Sequence, residues 1–409
     1  AAIWPLTPLQ HGFFLQSALA GAGGDDAVDV YVGQAVLRLA APVDDTRLRR
    51  AVEGLFSHHS ALRTSYLQTG GGAVVSVVQP SVDVPWRTID LGEVDDTRRQ
   101  AAVDEVVAAE RVTPFDLAAP PLLRVVAVRD SGGVTVVITN HHILFDGWSG
   151  PLVLADLLSL YATGATYTGG QRTGTSDFGD FARRIAGADH AAGLAAWGDV
   201  LAAVDGPTLV APGAMATAHS LPRNHMMVVD SQLVAGLESV ARAQGSTLAT
   251  VLQFAWAVLL SRVTGERVVT FGETVSGRPA DLDDAASMVG LFINTLPAVV
   301  DVDPSMPIAD VVAALQKSKV AVLDHQHLGL PELIALAGVD GALFDTLTVH
   351  ESYPVDTESI STTDTSTTGL SITEVVVSDS THFPLNMVTS PLSGGGLSIN
   401  LKYLPSAFD

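Results

Sequence analysis

His141-His142-Ile143-Leu144-Phe145-Asp146-Gly147 is the stretch of this chain best equipped for chemistry. Imidazole has the unperturbed side-chain pKa nearest neutrality, so a histidine presented at a strand end can take and return a proton at working pH. Asp146 is the natural partner for orienting a ring or closing the loop, and Gly147 permits a sharp backbone turn. Paired histidines can also be plain surface residues. The doubled His, the Asp-Gly that follows and the apolar run before them weigh against that.

The run Val134-Thr135-Val136-Val137-Ile138-Thr139-Asn140 predicts a strand that ends at the histidines. With Leu123 to Arg129 and the turn Asp130-Ser131-Gly132-Gly133 it reads as a β-hairpin. Leu152 to Tyr161 has apolar residues at helical spacing and predicts an amphipathic helix after the motif. Thr163 to Thr175, rich in Gly and Thr, is the best linker and divides the chain near residue 170. Further on, Thr247 to Val263 predicts a long apolar helix with Ser246 as its N-cap. Residues 356 to 370, with nine Ser or Thr, predict a long exposed loop. No repeat of 20–50 residues is present.

A chain of 409 residues suggests about two or three folding units, and its 47% hydrophobic content is ample for a core. Without cysteine there is no disulfide framework, thiol nucleophile or thiolate metal site, which fits a reducing compartment. The start Ala-Ala-Ile-Trp lacks Met and a charged-then-apolar leader, so an excised piece of a longer polypeptide is expected. The longest apolar run, Leu248 to Leu260, is too short to span a bilayer. A net charge of −22, with only Lys317, Lys319 and Lys402 as lysines, excludes nucleic-acid binding, because a polyanion would be repelled. No GxSxG elbow, P-loop or GxGxxG fingerprint occurs. His325 and His327 have a spacing that could suit a metal, but no nearby ligand completes a set, so no metal site is expected.

HHILFDG resembles the HHxxxDG motif of the condensation domains of nonribosomal peptide synthetases, within the chloramphenicol-acetyltransferase-like superfamily. Leu6-Thr7-Pro8-Leu9-Gln10-His11-Gly12-Phe13 resembles the family's first motif. His59-Ser60-Ala61-Leu62-Arg63-Thr64 is similar to its RHExLRT segment, with His58 in place of the Arg and Ser60 in place of the Glu. Phe178-Gly179-Asp180-Phe181 matches a degenerate YxDF, and Met288 to Thr295 is close to GxFVNT. His325-Gln326-His327 with Leu330-Pro331-Glu332, and Phe344-Asp345-Thr346-Leu347, resemble two later blocks.

The resemblance implies an α/β (α+β) fold of two chloramphenicol-acetyltransferase-like lobes in a V-shaped pseudo-dimer with a central tunnel. The N-terminal lobe, 1–170, would carry HHxxxDG, and the C-terminal lobe, 171–409, the bridging segments. One of these, Val275-Ser276-Gly277-Arg278-Pro279, is expected close to the histidines. The implied reaction is attack of an aminoacyl-carrier amine on a donor acyl- or peptidyl-carrier thioester. His142 would handle the amine proton as general base or hold the amine in place, and the Gly147 N–H would donate to the oxyanion. His141 is expected to support the loop. Asp146 would pair with an arginine, Arg278 first, Arg63 second and Arg124 third. No cofactor would be bound by the domain itself, since substrates arrive on phosphopantetheine arms. The implied partners are an upstream donor and a downstream acceptor peptidyl carrier protein and a neighbouring adenylation domain, with no nucleic acid and no membrane. Any carrier-docking patch would be a local island of Arg. A cytoplasmic monomer is expected.

An epimerization domain keeps HHxxxDG, but its first motif has Trp where this chain has Gly12, and Ile293-Asn294-Thr295 favours condensation. A non-catalytic carrier-docking domain is the reading from another class, and the intact motif argues against it. The first motif and Phe344-Asp345-Thr346-Leu347 look more like condensation domains that accept a donor ending in a D-residue.

Overall fold

The apolar run before the histidines forms the strand Gly133–His141, buried along nearly its whole length because both faces of its sheet are covered. It pairs antiparallel with Leu123–Asp130, placing Arg124 opposite Thr139 and Leu123 opposite Asn140, as the hairpin reading expects. Gly133 is required at the turn: its φ is 155°, and a Cβ there would lie 1.9 Å from the Leu39 carbonyl oxygen.

The computed structural model describes residues 2–22, 28–130, 132–164, 177–217, 220–351 and 369–408. One compact unit comprises Ala1–Ala186, Arg278–Phe292 and Tyr353–Ser380; a second comprises Gly187–Gly277, Ile293–Ser352 and Thr381–Asp409. Each unit thus draws on three stretches of chain, where the sequence suggests consecutive lobes of 1–170 and 171–409. Two interactions account for the difference. Arg278 and the Phe292 N–H bind Asp146, and the strand Ser371–Ser378 pairs with Val32–Ala40, so both later stretches join the first unit.

In the first unit a five-stranded sheet runs in the order Ser371–Ser378, Val32–Ala40, Gly133–His141, Leu123–Asp130, Trp86–Asp90. Its pairings are antiparallel except for the last, which is parallel. A separate three-stranded sheet joins Ala2–Pro5, Val74–Val78 and Thr64–Gln68. Val126, Val128 and Val137 of the larger sheet bury against Val103 of the helix Asp96–Val112. Apolar residues at helical spacing in Asp45–His58 (Leu48, Val52, Leu55, Phe56) give that helix its own buried face.

The second unit has a six-stranded mixed sheet ordered Asn294–Asp301, Val268–Val275, Thr346–His350, Leu385–Pro391, Leu397–Tyr403, Arg223–Val229. The helix Leu248–Thr264 packs Leu252, Trp256 and Leu260 against Val269 and Phe271 of this sheet. Its N-cap is Thr247, which accepts from the Thr250 N–H, and not Ser246. Ser246 instead donates to the Ala241 carbonyl and so closes the end of the preceding helix. The helix after the histidines runs Ser149–Thr163, longer at both ends than its apolar spacing suggests. Residues 165–175 of the expected linker and 356–368 of the expected loop lie outside the described residues. No single helix among the described residues is long and apolar enough to cross a membrane.

Gly133→Ala should lower stability by about 1–3 kcal/mol, because the methyl group must displace the Val32–Ala40 backbone. Chemical denaturation checks this: an unchanged midpoint would mean the hairpin turn relaxes freely.

Candidate active site

The strand Gly133–His141 ends at the first histidine, where the His141 N–H still bonds the Leu122 carbonyl at 2.9 Å. The next residue leaves the hairpin and the His142 N–H bonds the Tyr31 carbonyl at 2.7 Å. The two rings therefore meet different surroundings. His141 is fully buried. Its Nδ1 accepts the Ile143 N–H at 3.0 Å, so the ring is neutral with its proton on Nε2. Nε2 lies 2.8 Å from Ser17 Oγ and 3.2 Å from Asp29 Oδ2. Burial opposes the charge on Asp29, yet hydrogen bonds from His141, the Tyr31 N–H and Ser17 outweigh it and hold this carboxyl below the ordinary aspartate value.

His142 is half-buried, its ring meeting the Phe13 ring edge-on at 5.5 Å between centroids. Phe13 in turn packs on Tyr31 at 4.0 Å. Nδ1 of His142 is buried with no hydrogen-bond partner among the described residues. Nε2 is the nitrogen left open, so this ring stands beside Phe13 uncommitted.

Asp146 is buried and both of its carboxylate oxygens accept hydrogen bonds. Oδ1 accepts from the Ser149 N–H at 3.0 Å, Ser149 Oγ at 2.8 Å and Arg278 Nη2 at 3.0 Å; Oδ2 accepts from the Phe292 N–H at 2.9 Å. Ser149 is the first residue of the helix Ser149–Thr163, so the carboxylate also sits at a helix N-terminus, where negative charge is favoured. Pro151 falls in the first turn, where a missing N–H costs nothing. The Gly290 carbonyl accepts the Asp146 N–H at 3.1 Å and Ser149 Oγ at 3.0 Å, tying the loop to the Met288–Thr295 motif. Arg278 completes the clamp: Nη1 donates to Met288 O at 2.9 Å and to Ala285 O, and the guanidinium lies 4.0 Å from the Phe292 ring centroid. Burial pulls the Arg278 pKa below its ordinary value, opposed by the Asp146 carboxylate.

Arg63 and Arg124, the other arginines considered for Asp146, go elsewhere. Arg63 donates to the carbonyls of Phe56 at 2.8 Å, Pro80 at 3.0 Å and Gln79, and so anchors the chain around Thr64–Gln68. As the second choice for Asp146 it is thereby corrected: the fork is already satisfied by three backbone carbonyls. Arg124 pairs with Glu110 at 2.6 Å. Gly147 is half-buried with no positive φ, so the turn does not use the backbone freedom expected of it, and its N–H makes no hydrogen bond among the described residues.

Several supports escaped the sequence reading. Thr7 and Gln10 bond each other's backbone N–H groups at 3.3 and 3.0 Å, the reciprocal pair of a capping box that starts the helix Pro8–Ala22. Gln10 Nε2 also donates to Tyr66 Oη at 3.1 Å and to Ile143 O at 3.2 Å, and Tyr66 Oη donates to the same carbonyl at 3.0 Å. Burial raises the Tyr66 phenol well above its usual value, keeping it a donor. The Thr-x-x-Gln spacing was readable as a cap; Ser17, Asp29 and Tyr66 carried no comparable signal. In the second unit, Asn294 Nδ2 bonds the Gln326 and Leu328 carbonyls at 2.8 Å each, linking the end of GLFINT to the His325 segment.

Comparison with known proteins agrees with this arrangement. A condensation-domain family profile matches residues 1–409. One linear gramicidin synthase polypeptide of Brevibacillus parabrevis is 31% identical over 417 aligned residues, covering 100% of this chain and 8% of that protein. Chondramide synthase cmdD of Chondromyces crocatus is 32% identical over 373, covering 90% of this chain and 9% of its own length. The chain therefore spans about a tenth or less of these relatives. Among solved structures, the first condensation domain of the calcium-dependent antibiotic synthetase superposes with a TM-score of 0.75 at 21% identity, covering 100% of this chain and 92% of that one. The starter condensation domain of rhizomide synthetase RzmA gives a TM-score of 0.80 at 17% identity, with 100% and 90% covered. The chain belongs to the condensation domains of nonribosomal peptide synthetases, a family of amide-forming enzymes with the chloramphenicol-acetyltransferase-like fold.

Two outcomes follow from the site. Asp146→Ala strands the Arg278 charge, 6% exposed, and should cost about 3–5 kcal/mol of stability as well as activity; a variant that melts like wild type would show the clamp is not structural. Asp29, with its pKa lowered, stabilises the fold above the unfolded aspartate value near about 4 and loses that contribution as pH falls through its own lower value. Asp29→Asn should therefore flatten the acid limb of the stability–pH curve, and an unchanged limb would sink the assignment.

Proposed function

We propose that this chain joins two carrier-bound substrates. The neutral α-amino group of an acceptor aminoacyl thioester attacks the carbonyl of a donor acyl or peptidyl thioester; the C–N bond forms, the C–S bond breaks, and the thiol of the donor arm leaves with a proton. The observation that carries this reading is the contrast within the doubled histidine: His141 is bonded at both ring nitrogens, while His142 stands half-buried beside Phe13 with its nitrogens unspent.

A neutral amine needs no covalent enzyme intermediate. The work left is to hold two tethered reactants, where effective molarity can supply about 7 kcal/mol or more, and to manage one proton. His142 takes or positions that proton, and the Gly147 N–H donates to the developing oxyanion. His141, Asp146 and Arg278 act through the loop they hold. The donor arrives on an upstream peptidyl carrier and the acceptor on a downstream one, each on a phosphopantetheine arm, with an adenylation domain as neighbour. The relatives' names, synthases of linear gramicidin and chondramide, support a setting in antibiotic peptide assembly. Among condensation subtypes we assign this chain to those accepting a donor with a D-residue at its end, on the strength of Leu6-Thr7-Pro8-Leu9-Gln10 and Phe344-Asp345-Thr346-Leu347.

A mass-spectrometric assay with D- and L-ended donor carriers and a panel of acceptor carriers tests this. Amide should appear with both carriers loaded and faster with the D-donor. Inversion of a single loaded residue without amide would replace the reading with epimerization, and no turnover with a folded chain would leave a docking role. His142→Ala should fold normally and form amide about 10²–10⁴-fold more slowly. An acceptor amine of lower pKa should partly rescue it if deprotonation is lost, and not if positioning is. Near-wild-type rates in His142→Ala would remove this residue from the chemistry.

A further inference from the structure

A second doubled histidine, His58-His59, stands far from the first in sequence and in role. His58 is the last residue of the helix Asp45–His58, and His59 caps it with extended backbone at φ −96°. The change of conformation between neighbours turns both rings to one place, 4.6 Å apart and T-shaped. Asp156 reaches the same place from the helix Ser149–Thr163. Gly54 lets the two helices approach, since a Cβ there would meet the Leu160 methyls at 3.0 Å.

We propose that His58, His59 and Asp156 form a binding site for a divalent transition metal of the zinc class, with water completing the shell. One ligand atom from each of the three side chains lies within 4.8 Å of the others. His59 Nε2 and Asp156 Oδ2 are already 2.8 Å apart, and tetrahedral zinc with bonds of about 2.0–2.2 Å needs them about 0.5–0.8 Å further apart. His59 is 3% exposed and Asp156 28%, so the group is anchored in the protein and open to an ion on one side. No Lys or Arg pairs with Asp156 among the described residues, which leaves its charge to the imidazoles. Two neutral imidazoles and a carboxylate suit zinc, nickel or cobalt, whereas magnesium and calcium prefer oxygen ligands throughout. The position argues for a staple, not a catalyst. Asp156 sits on the helix whose first residue, Ser149, bonds Asp146, so the metal would pin that helix to Asp45–His58. The site also falls where this chain departs from the family segment, with His58 in place of Arg.

The chain, stripped with chelator and dialysed free of it, is titrated with zinc chloride by calorimetry and followed by thermal unfolding. One zinc per chain should bind and raise the melting temperature with concentration, and magnesium should do neither. His58→Arg, which restores the residue of the family segment, should keep the unmetallated melting temperature. It should weaken zinc by more than the roughly 10–100-fold seen on losing an outer-shell partner, and Asp156→Asn should do the same. If His58→Arg fails to fold, the cobalt form of the wild type decides, its visible spectrum reporting a tetrahedral nitrogen–oxygen set. No binding by the wild type, or undiminished binding in a folded His58→Arg or Asp156→Asn, overturns the site.

Discussion

The buried ion pair between Asp146 and Arg278 is the constraint on which the histidine loop depends. A carboxylate with no exposed surface is tolerable only if its charge and its lone pairs are met, and here both oxygens are. Meeting them leaves little freedom. Ser149 must start its helix where it does, Phe292 must present its N–H, and Arg278 must lie over the Phe292 ring. The Gly290 carbonyl, shared by the Asp146 N–H and Ser149 Oγ, fixes the same stretch from the backbone side. The loop is therefore located by directional bonds at its C-terminal end and by the hairpin register at its N-terminal end.

Between those two ends stand two chemically identical side chains in opposite states. His141 lies where the strand still has partners, and its ring joins them: Nδ1 takes a backbone N–H and Nε2 faces Ser17 and Asp29. A ring held this way has one tautomer and no lone pair to offer a substrate. His142, one residue later, has left the sheet, and its backbone is anchored by the bond to Tyr31. Gln10 and Tyr66 hold the Ile143 carbonyl just beyond it, so the backbone under His142 is rigid while its ring stays available. Rigidity and availability are supplied by different atoms.

What the sequence made legible follows from how local each signal is. The hairpin, the helix after it and the long apolar helix at 248–264 were readable because hydrophobic period and turn residues are neighbours in the chain. Arg278 as the mate of Asp146 came from family resemblance; nothing local links residues 132 positions apart. Arg63 misled because its segment resembles a motif, while the carbonyls that occupy it, those of Phe56, Gln79 and Pro80, are apparent only in the folded chain. Asp29 and Tyr66 were invisible for the same reason. The interleaving of the two units could not be read from composition, since a strand such as Ser371–Ser378 carries no mark of which sheet it will join.

The motifs that identify this family serve, in this chain, largely to hold backbone within each unit. Gln10 of the first holds Ile143; Gly290 and Phe292 of another hold Asp146 and Ser149; Asn294 of the same motif holds the backbone at Gln326 and Leu328. Very few of these residues are free to touch a substrate. That distribution suits a reaction whose nucleophile arrives ready. When the amine is already reactive, the barrier is lowered mainly by holding two carbonyl-bearing arms and one proton acceptor in register, and a positional error of an ångström costs more than a modest loss of basicity. A site devoted to such work should spend its polar residues on fixing backbone and leave one imidazole uncommitted, and the loop from His141 to Ser149 is built in that proportion.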